Sequence, residues 1–536
     1  MRNISLLFAQ SLALTASLVA QSPLGAPPTP WQNPTTPAKA VLGKILFWEE
    51  QLSSNGRVAC GTCHRPEFGG GDSRRVRHPG ADAILGNADD TWGSPGVERR
   101  DAAGQYASDV RFGFGEQVTG RASISNAMAA WFPEQFWDGR VDGVLTDPET
   151  SVVVIPSGAS LEAQSLHPMR SEVELARANR SWADIRQRIA QLQPLALASN
   201  LPPDVQAALA TAPTYAALFT AAFGDPNVTM ARIAMALASY QRTTVPNQTP
   251  WDQYAAGQTN ALTASQIAGL QIYNTTALCS SCHPLGLTTD LSYRALGVVP
   301  TTQDPGRGGV TGLAADMGRF KTTGVRNASL KTTFLHNGRF TSMNALINFY
   351  RGGGGSFLPR DPALQPFTLT ATEQQQLLDF LDNGLVDPRA RAALPPFDRP
   401  TLVSETQPVG ANLYGTPTTG GSYTPAILAQ MPAFLGNPEW SVGFIQAPPN
   451  GVGWLVLSLL PAPPGMQLAG VTLWARPDLY SLLIPFALDA AGKATLVVSL
   501  PFAPELRGIT LYGQGLVADA TNPAWAGTQG ASFVLR

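Results

Sequence analysis

Four cysteines fall as two close pairs, and a histidine follows each pair directly: Cys60-Gly61-Thr62-Cys63-His64 and Cys279-Ser280-Ser281-Cys282-His283. Two thiols three positions apart on one turn can add to the two vinyl groups of a single porphyrin, and the adjoining imidazole then falls beneath the iron as its proximal ligand. A disulfide, a thioredoxin-like pair and a zinc site made from both pairs are the competing readings. A redox pair does not require the histidine, and a zinc reading leaves its spacing to chance twice. Histidine makes up about 2% of average residues, so two chance occurrences would arise on the order of once in a thousand times or less. The pattern reads as two covalently attached haem c groups.

The elements that must carry these motifs are visible as patterns. A helical face of Val41, Leu42, Ile45 and Leu46 runs into the first pair, and Thr263 with Gln266 forms a capping box for a helix through Ile267, Leu270 and Tyr273 ahead of the second. Further helices are expected over Met230 to Tyr240, over Met343 to Tyr350, and from Thr370 and Glu373 through Leu377, Leu378 and Leu381. Beyond Pro395 and Pro396 a Gly/Thr/Pro-rich stretch reads as a linker. Short runs such as Trp454 to Leu460, Ala494 to Leu500 and Ile509 to Tyr512 then read as strands. The expected fold class is therefore mainly α, with two cytochrome c-like haem domains (21–250 and 251–395), a linker (396–430) and a small C-terminal β-sandwich-like domain (431–536). All five histidines precede residue 340. The last domain thus holds neither His nor Cys, and its removal from residue 405 onward is expected to spare the haems.

The chain has 536 residues and a net charge of -2, and its charged residues make up 14%, against about 25% in an average chain. No field of one sign would gather nucleic acid or anionic lipid. With 51 glycines, 45 prolines and 44% apolar residues, the composition describes loop-rich globular structure. Met1 to Asn3 supply a cationic start and Ile4 to Ala20 an uncharged apolar stretch, read as a signal peptide over 1–20 and export to the periplasm. No later stretch approaches the roughly 20 apolar residues of a membrane span.

Over residues 38 to 390 the chain resembles the bacterial di-haem cytochrome c peroxidases and their MauG-type relatives. The resemblance rests on Leu42-Gly43-Lys44-Ile45-Leu46-Phe47 and Leu52-Ser53 before the first haem motif, then Phe136-Trp137-Asp138-Gly139-Arg140. Gln164, Pro168 and Val173-Glu174-Leu175 follow, and Arg326-Asn327-Ala328 and Leu335-His336-Asn337-Gly338 close the series. It implies that 21–250 is the peroxidatic domain, with its iron on His64, Glu174 moving a proton between the peroxide oxygens and Gln164 beside it. It implies that Trp137 lies between the haems and that the His283 haem in 251–395 receives electrons. Taken alone, Glu174 reads as a surface carboxylate and Trp137 as a core aromatic; Asp138 and Arg140 read as pins of their loop. At the place where the peroxidases carry a methionine ligand this chain has Tyr350, as MauG-type relatives have tyrosine, although Met343, Leu346, Ile347 and Tyr350 also form a plain core stripe. Met317 and Met343 are the substitutes. His78 is the one loop histidine available as a resting ligand, and His167 stands beside Pro168; both also read as surface histidines. The family's inter-haem calcium meets Arg121 or Ala122, Lys331 and Thr333 at the matching positions. Asp82, Asn87, Asp89 and Asp90 offer carboxylates without EF-hand spacing.

The resemblance implies an exported di-haem peroxidase that reduces hydrogen peroxide with electrons from a small donor protein, a cytochrome c or a cupredoxin. A MauG-type oxidase acting on a partner protein is the first alternative, and a non-catalytic di-haem electron-transfer cytochrome is the second.

Overall fold

The computed structural model describes residues 24–406, 409–519 and 524–536; the signal-peptide expectation over 1–20 lies outside them. Helix Pro37–Phe47 starts where Thr36 accepts a hydrogen bond from the Lys39 amide and Pro37 supplies a preset φ. It buries Leu42, Ile45 and Leu46 against helix Met230–Gln241, which is buried at every position but Arg232. The two backbones touch at Gly43, where an added Cβ would lie 1.9 Å from the Ala236 carbonyl oxygen. The second haem region repeats the device: helix Ala264–Asn274, closed at its start by the Thr263/Gln266 capping box, crosses helix Ala371–Asp379 at Gly269, whose Cβ would lie 2.0 Å from the Gln376 oxygen. Each crossing has its own apolar core.

Among the described residues the C-terminal part contains two larger antiparallel sheets and the short ribbon Gln467–Leu468 with Val471–Thr472. One orders strands Leu482–Ala487, Val452–Ser458, Thr510–Ala518, Gly530–Val534 and Asn412–Tyr414, with Trp525–Gly527 also paired to Thr510–Ala518; the other orders Ala426–Leu428, Ser441–Ile445 and Ala494–Val497. Phe444 of the smaller sheet stacks on Phe486 of the larger at 4.3 Å, and Trp440, Val517 and Phe533 fill the same core.

The mainly α expectation is overturned: among the described residues 27% are helical and 18% are strand. The physical reason lies in glycine and proline, which keep much of the haem-bearing part in loops and short ribbons such as Val76–His78 with Thr91–Gly93, Pro95–Glu98 with Glu116–Val118, and Tyr293–Ala295 with Arg319–Lys321. The C-terminal sheets then supply most of the longer strands.

The described residues of 396–430 are packed rather than slack. Asn412–Tyr414 pairs with Gly530–Val534, and Leu402 and Val403 are buried. The carboxylate of Glu50, itself 1% exposed, accepts hydrogen bonds from the amides of Val403 (2.6 Å) and Ser404 (3.0 Å). Arg399 pairs with Glu67 and Glu405, and Glu405 also pairs with Arg65, the neighbour of His64. Farther along, Arg188 meets Glu439 at 2.6 Å and Arg100 donates to Ser441 Oγ at 2.5 Å. These bonds tie the β-rich part to the first haem region, so the expectation that it can be removed without effect does not follow from the structure.

Candidate active site

Each CxxCH motif forms one tight turn. The His64 amide donates to the Cys60 oxygen (3.1 Å) and the His283 amide to the Cys279 oxygen (2.8 Å). Gly61 is required within its turn, since an added Cβ would lie 2.3 Å from the Trp48 indole. All four thiols are free, and burial pushes Cys60 and Cys279 up to about 12, so they stay protonated. His64 Nδ1 lies 3.1 Å from the Gly70 oxygen and His283 Nδ1 3.0 Å from the Thr288 oxygen. Donation of Nδ1–H to a carbonyl leaves Nε2 with its lone pair, the arrangement of a metal-ligating imidazole. Burial lowers both imidazole pKa values and keeps them neutral. Among the described residues no three His, Cys, Asp or Glu side chains converge as a metal site, so the two pairs do not combine in one zinc site. Two thiols and one neutral, oriented imidazole in each turn fit a covalently held haem.

A cavity of about 500 Å³ brings Cys60, Cys63 and His64 together with Gln164, Pro168, Glu174 and Trp137. Gln164 comes from helix Ser160–Leu166 and Pro168 from the turn His167–Arg170. Glu174 follows in a turn where the Ser171 carbonyl accepts from the amides of Glu174, Leu175 and Ala176. Strand Pro95–Glu98 closes on this turn at Gly96, whose Cβ would lie 1.9 Å from the Val173 oxygen. The Glu174 carboxyl is raised above its ordinary value by burial, against the opposing pull of Ser171 and Arg140. A carboxyl held more willing to carry a proton, inside a cavity, has the property of a general acid-base group.

Trp137 is held at both ends: its Nε1–H donates to the Ala122 oxygen (2.8 Å) and its carbonyl accepts from the Lys321 amide (2.8 Å). Its ring centroid lies 6.3 Å from that of His336, which stacks on Phe320 at 3.6 Å. The cavity edge thus meets the loop of the second haem region at this tryptophan. Asp138 pairs with Arg140 (2.9 Å) and Arg121 (2.7 Å), and Arg121 continues to Asp304 (2.7 Å). Lys321 also lines the cavity, and burial lowers its pKa to about 7. Neither Lys321 nor Asp304 carries a local sequence signal; the fold brings them there.

Tyr350, on helix Met343–Arg351, lies within electrostatic reach of Cys279 and Cys282, and burial is the main cause that raises its phenol pKa. Met343 packs in the same cluster as Cys279, whereas Met317 packs against Gly308. His78 lies in a ribbon, where its ring meets Phe112 at 5.6 Å and its Nδ1 accepts from the Gly80 amide. His167 is exposed, with its ring 5.7 Å from Phe136. Neither histidine lines the cavity. Asp82, Asn87, Asp89 and Asp90 accept from amides of their own loop. Arg121 and Lys331 bring positive charge where a divalent cation would need oxygen ligands, so the residues present do not fit the family's calcium.

Residues 37–260 match the family model described as di-haem cytochrome c peroxidase. The cytochrome-c peroxidase IdrP1 of Pseudomonas sp. (strain SCT) is 28% identical over 424 residues, covering 73% of this chain and 90% of its own length. The methylamine utilization protein MauG of Methylorubrum extorquens is 28% identical over 366 residues, covering 68% and 82%. A crystal structure of a MauG-like protein associated with microbial copper homeostasis shares the fold at a TM-score of 0.50 and 21% identity, over 73% of this chain and 98% of that one.

Proposed function

We propose, on the premise that the haem-bearing part of this chain belongs to the di-haem cytochrome c peroxidase and MauG family, that it reduces hydrogen peroxide to two waters, consuming two electrons and two protons. Membership of that family implies two haem c groups and a peroxidase or oxidase activity. When bound, the haems supply the iron that takes peroxide and the route for the electrons. Cys60, Cys63 and His64 would hold the first and Cys279, Cys282 and His283 the second, with Tyr350 as the further ligand of the second. Glu174 takes the proton from one peroxide oxygen and returns it to the other, while Gln164 orients the substrate by hydrogen bonding. Pro168 narrows the cavity, and Trp137 bridges toward the second haem region. Residues 21–250 and 251–395 act as the two haem domains, with 396–430 and 431–536 packed against the first. A small cytochrome c or cupredoxin is the donor, and the protein works in the periplasm. Among the described residues no helix is long and apolar enough to cross a membrane.

The observation that carries this reading is the single cavity in which the first haem turn, Gln164 and a Glu174 carboxyl raised above its ordinary pKa by burial meet. An electron-transfer cytochrome has no use for such a cavity. Glu174→Gln is expected to keep both haems and to slow peroxide turnover about 100-fold or more, the scale of losing a general acid-base group. Unchanged turnover with two haems would leave Glu174 a bystander and favour the electron-transfer reading. The MauG-type alternative draws its support from Tyr350 beside Cys279 and Cys282. An oxygen ligand in place of a thioether lowers the iron potential and favours high-valent iron.

A further inference from the structure

Among the described residues Lys331 meets no counter-ion. Its side chain runs along the loop whose Gly70 carbonyl orients His64: an added Cβ would lie 3.0 Å from Lys331 Cγ at Gly69 and 3.4 Å from its Cε at Gly71. Its Nζ ends 6.0 Å from the centroid of the Trp137 ring. Among the described residues no hydrogen bond or ion pair reaches this ammonium, and desolvation alone lowers its pKa to about 8. The neighbouring cations are engaged. Arg121 pairs with Asp138 and Asp304, Arg74 with Asp72, and Lys321 donates to the Glu134 oxygen. Lys331 is only half-buried, and an ammonium that no anion of the described residues reaches suits a negative group that arrives with a ligand.

The anionic groups of haem c are its propionate carboxylates. We propose that Lys331 is the ion-pair partner of a propionate on the haem attached at Cys60 and Cys63, on the side that faces Trp137. This rests on the di-haem reading above. The positive charge between the haem regions is then a permanent part of the chain and needs no bound divalent cation, in keeping with a donor set that does not suit calcium. It also sets the field at the Trp137 indole, because a nearby ammonium disfavours removal of an electron from the ring and favours electron passage through it without a resident hole.

The test uses the di-haem protein with Lys331→Gln and Lys331→Arg, read by redox titration, haem count and resonance Raman. Lys331→Gln should lower the midpoint potential of the His64-attached haem, because a positive charge that stabilises the reduced state is gone, while Lys331→Arg should stay near wild type. Exhaustive treatment of the wild type with a calcium chelator should leave that potential unmoved. Two haems and a wild-type potential in Lys331→Gln would overturn the proposal, as would a wild-type potential that falls on chelation and returns with calcium. Should Lys331→Gln lose its pigment, the propionate bending bands of the wild type decide: they should shift in D2O and differ in Lys331→Arg, and bands indifferent to both would refute the pairing. A wild type that carries fewer than two haems would instead strike the di-haem reading itself.

Discussion

Glu50 offers the sharpest test of how the β-rich part is attached. Its buried carboxylate accepts two amides from a segment more than 350 positions away, at 2.6 and 3.0 Å. A hydrogen bond to a charged group contributes about 1.5–3 kcal/mol, and an orphaned buried donor costs about 1–3 kcal/mol. These figures overlap, so Glu50→Ala is expected to cost about 3–5 kcal/mol. Burial raises the Glu50 pKa from 4.5 to about 7. Between those values the native protein keeps a proton that the unfolded chain has released. The resulting contribution is complete below pH 4.5 and is lost as pH rises to about 7; at 1.36 kcal/mol per pKa unit it amounts to about 3 kcal/mol. Glu50→Gln should therefore flatten the stability profile over that window while retaining one acceptor. The assay is urea unfolding of the haem-loaded protein followed at the Soret band, with limited proteolysis to report release of residues 399–406. An Ala variant that loses less than about 1 kcal/mol, or a Gln variant with the wild-type pH slope, would refute the clamp.

The truncation and the sixth ligand give two further expectations. Deleting 405–536 strips Arg65, Arg188 and Arg100 of Glu405, Glu439 and Ser441. The shortened chain should unfold at lower urea and retain less haem, and equal midpoints with a full pyridine haemochrome count would show the module to be dispensable. Tyr350→Phe should change the low-spin EPR signal of the His283 haem and raise its potential, whereas an unaltered spectrum would remove the phenol from the iron and point to Met343.

What could be read from the sequence was either local or covalent. The CxxCH turns were legible because haem attachment fixes both residue type and spacing. The helix starts at Thr263/Gln266 and Thr370/Glu373 were legible because a capping box spans three residues, and both boxes are formed. Glu174 was legible only by resemblance, since nothing local separates it from a surface glutamate until Gly96 closes on its turn. The clamp at Glu50 left no trace, because amides pairing with a distant carboxylate have no sequence signature. Lys331 stood out only at a position matching the family's calcium; that no anion of the described residues reaches it belongs to the fold. The mainly α expectation failed because helical periodicity is easy to see, whereas the loops that glycine and proline impose leave no periodic pattern.

The two loops that meet at Trp137 show how far the internal doubling extends beyond the haem motifs. Phe136-Trp137-Asp138-Gly139-Arg140 and Leu335-His336-Asn337-Gly338-Arg339 share a plan: the first residue has a left-handed backbone (φ 67 and 64), and so does the glycine (φ 73 and 63). Each loop is closed by one isolated bridge, Gln135 with Val141 and Phe334 with Phe340, and each follows a single 3₁₀ turn, Ala129–Trp131 or Ala328–Leu330. A left-handed non-glycine residue costs of order 1–3 kcal/mol unless its surroundings hold it, and such strain gathers where side chains must be aimed. Here it aims Trp137 and His336 at each other across the boundary of the two haem regions. The contact between the regions is thus built from one loop used twice, with an indole on one side and an imidazole on the other.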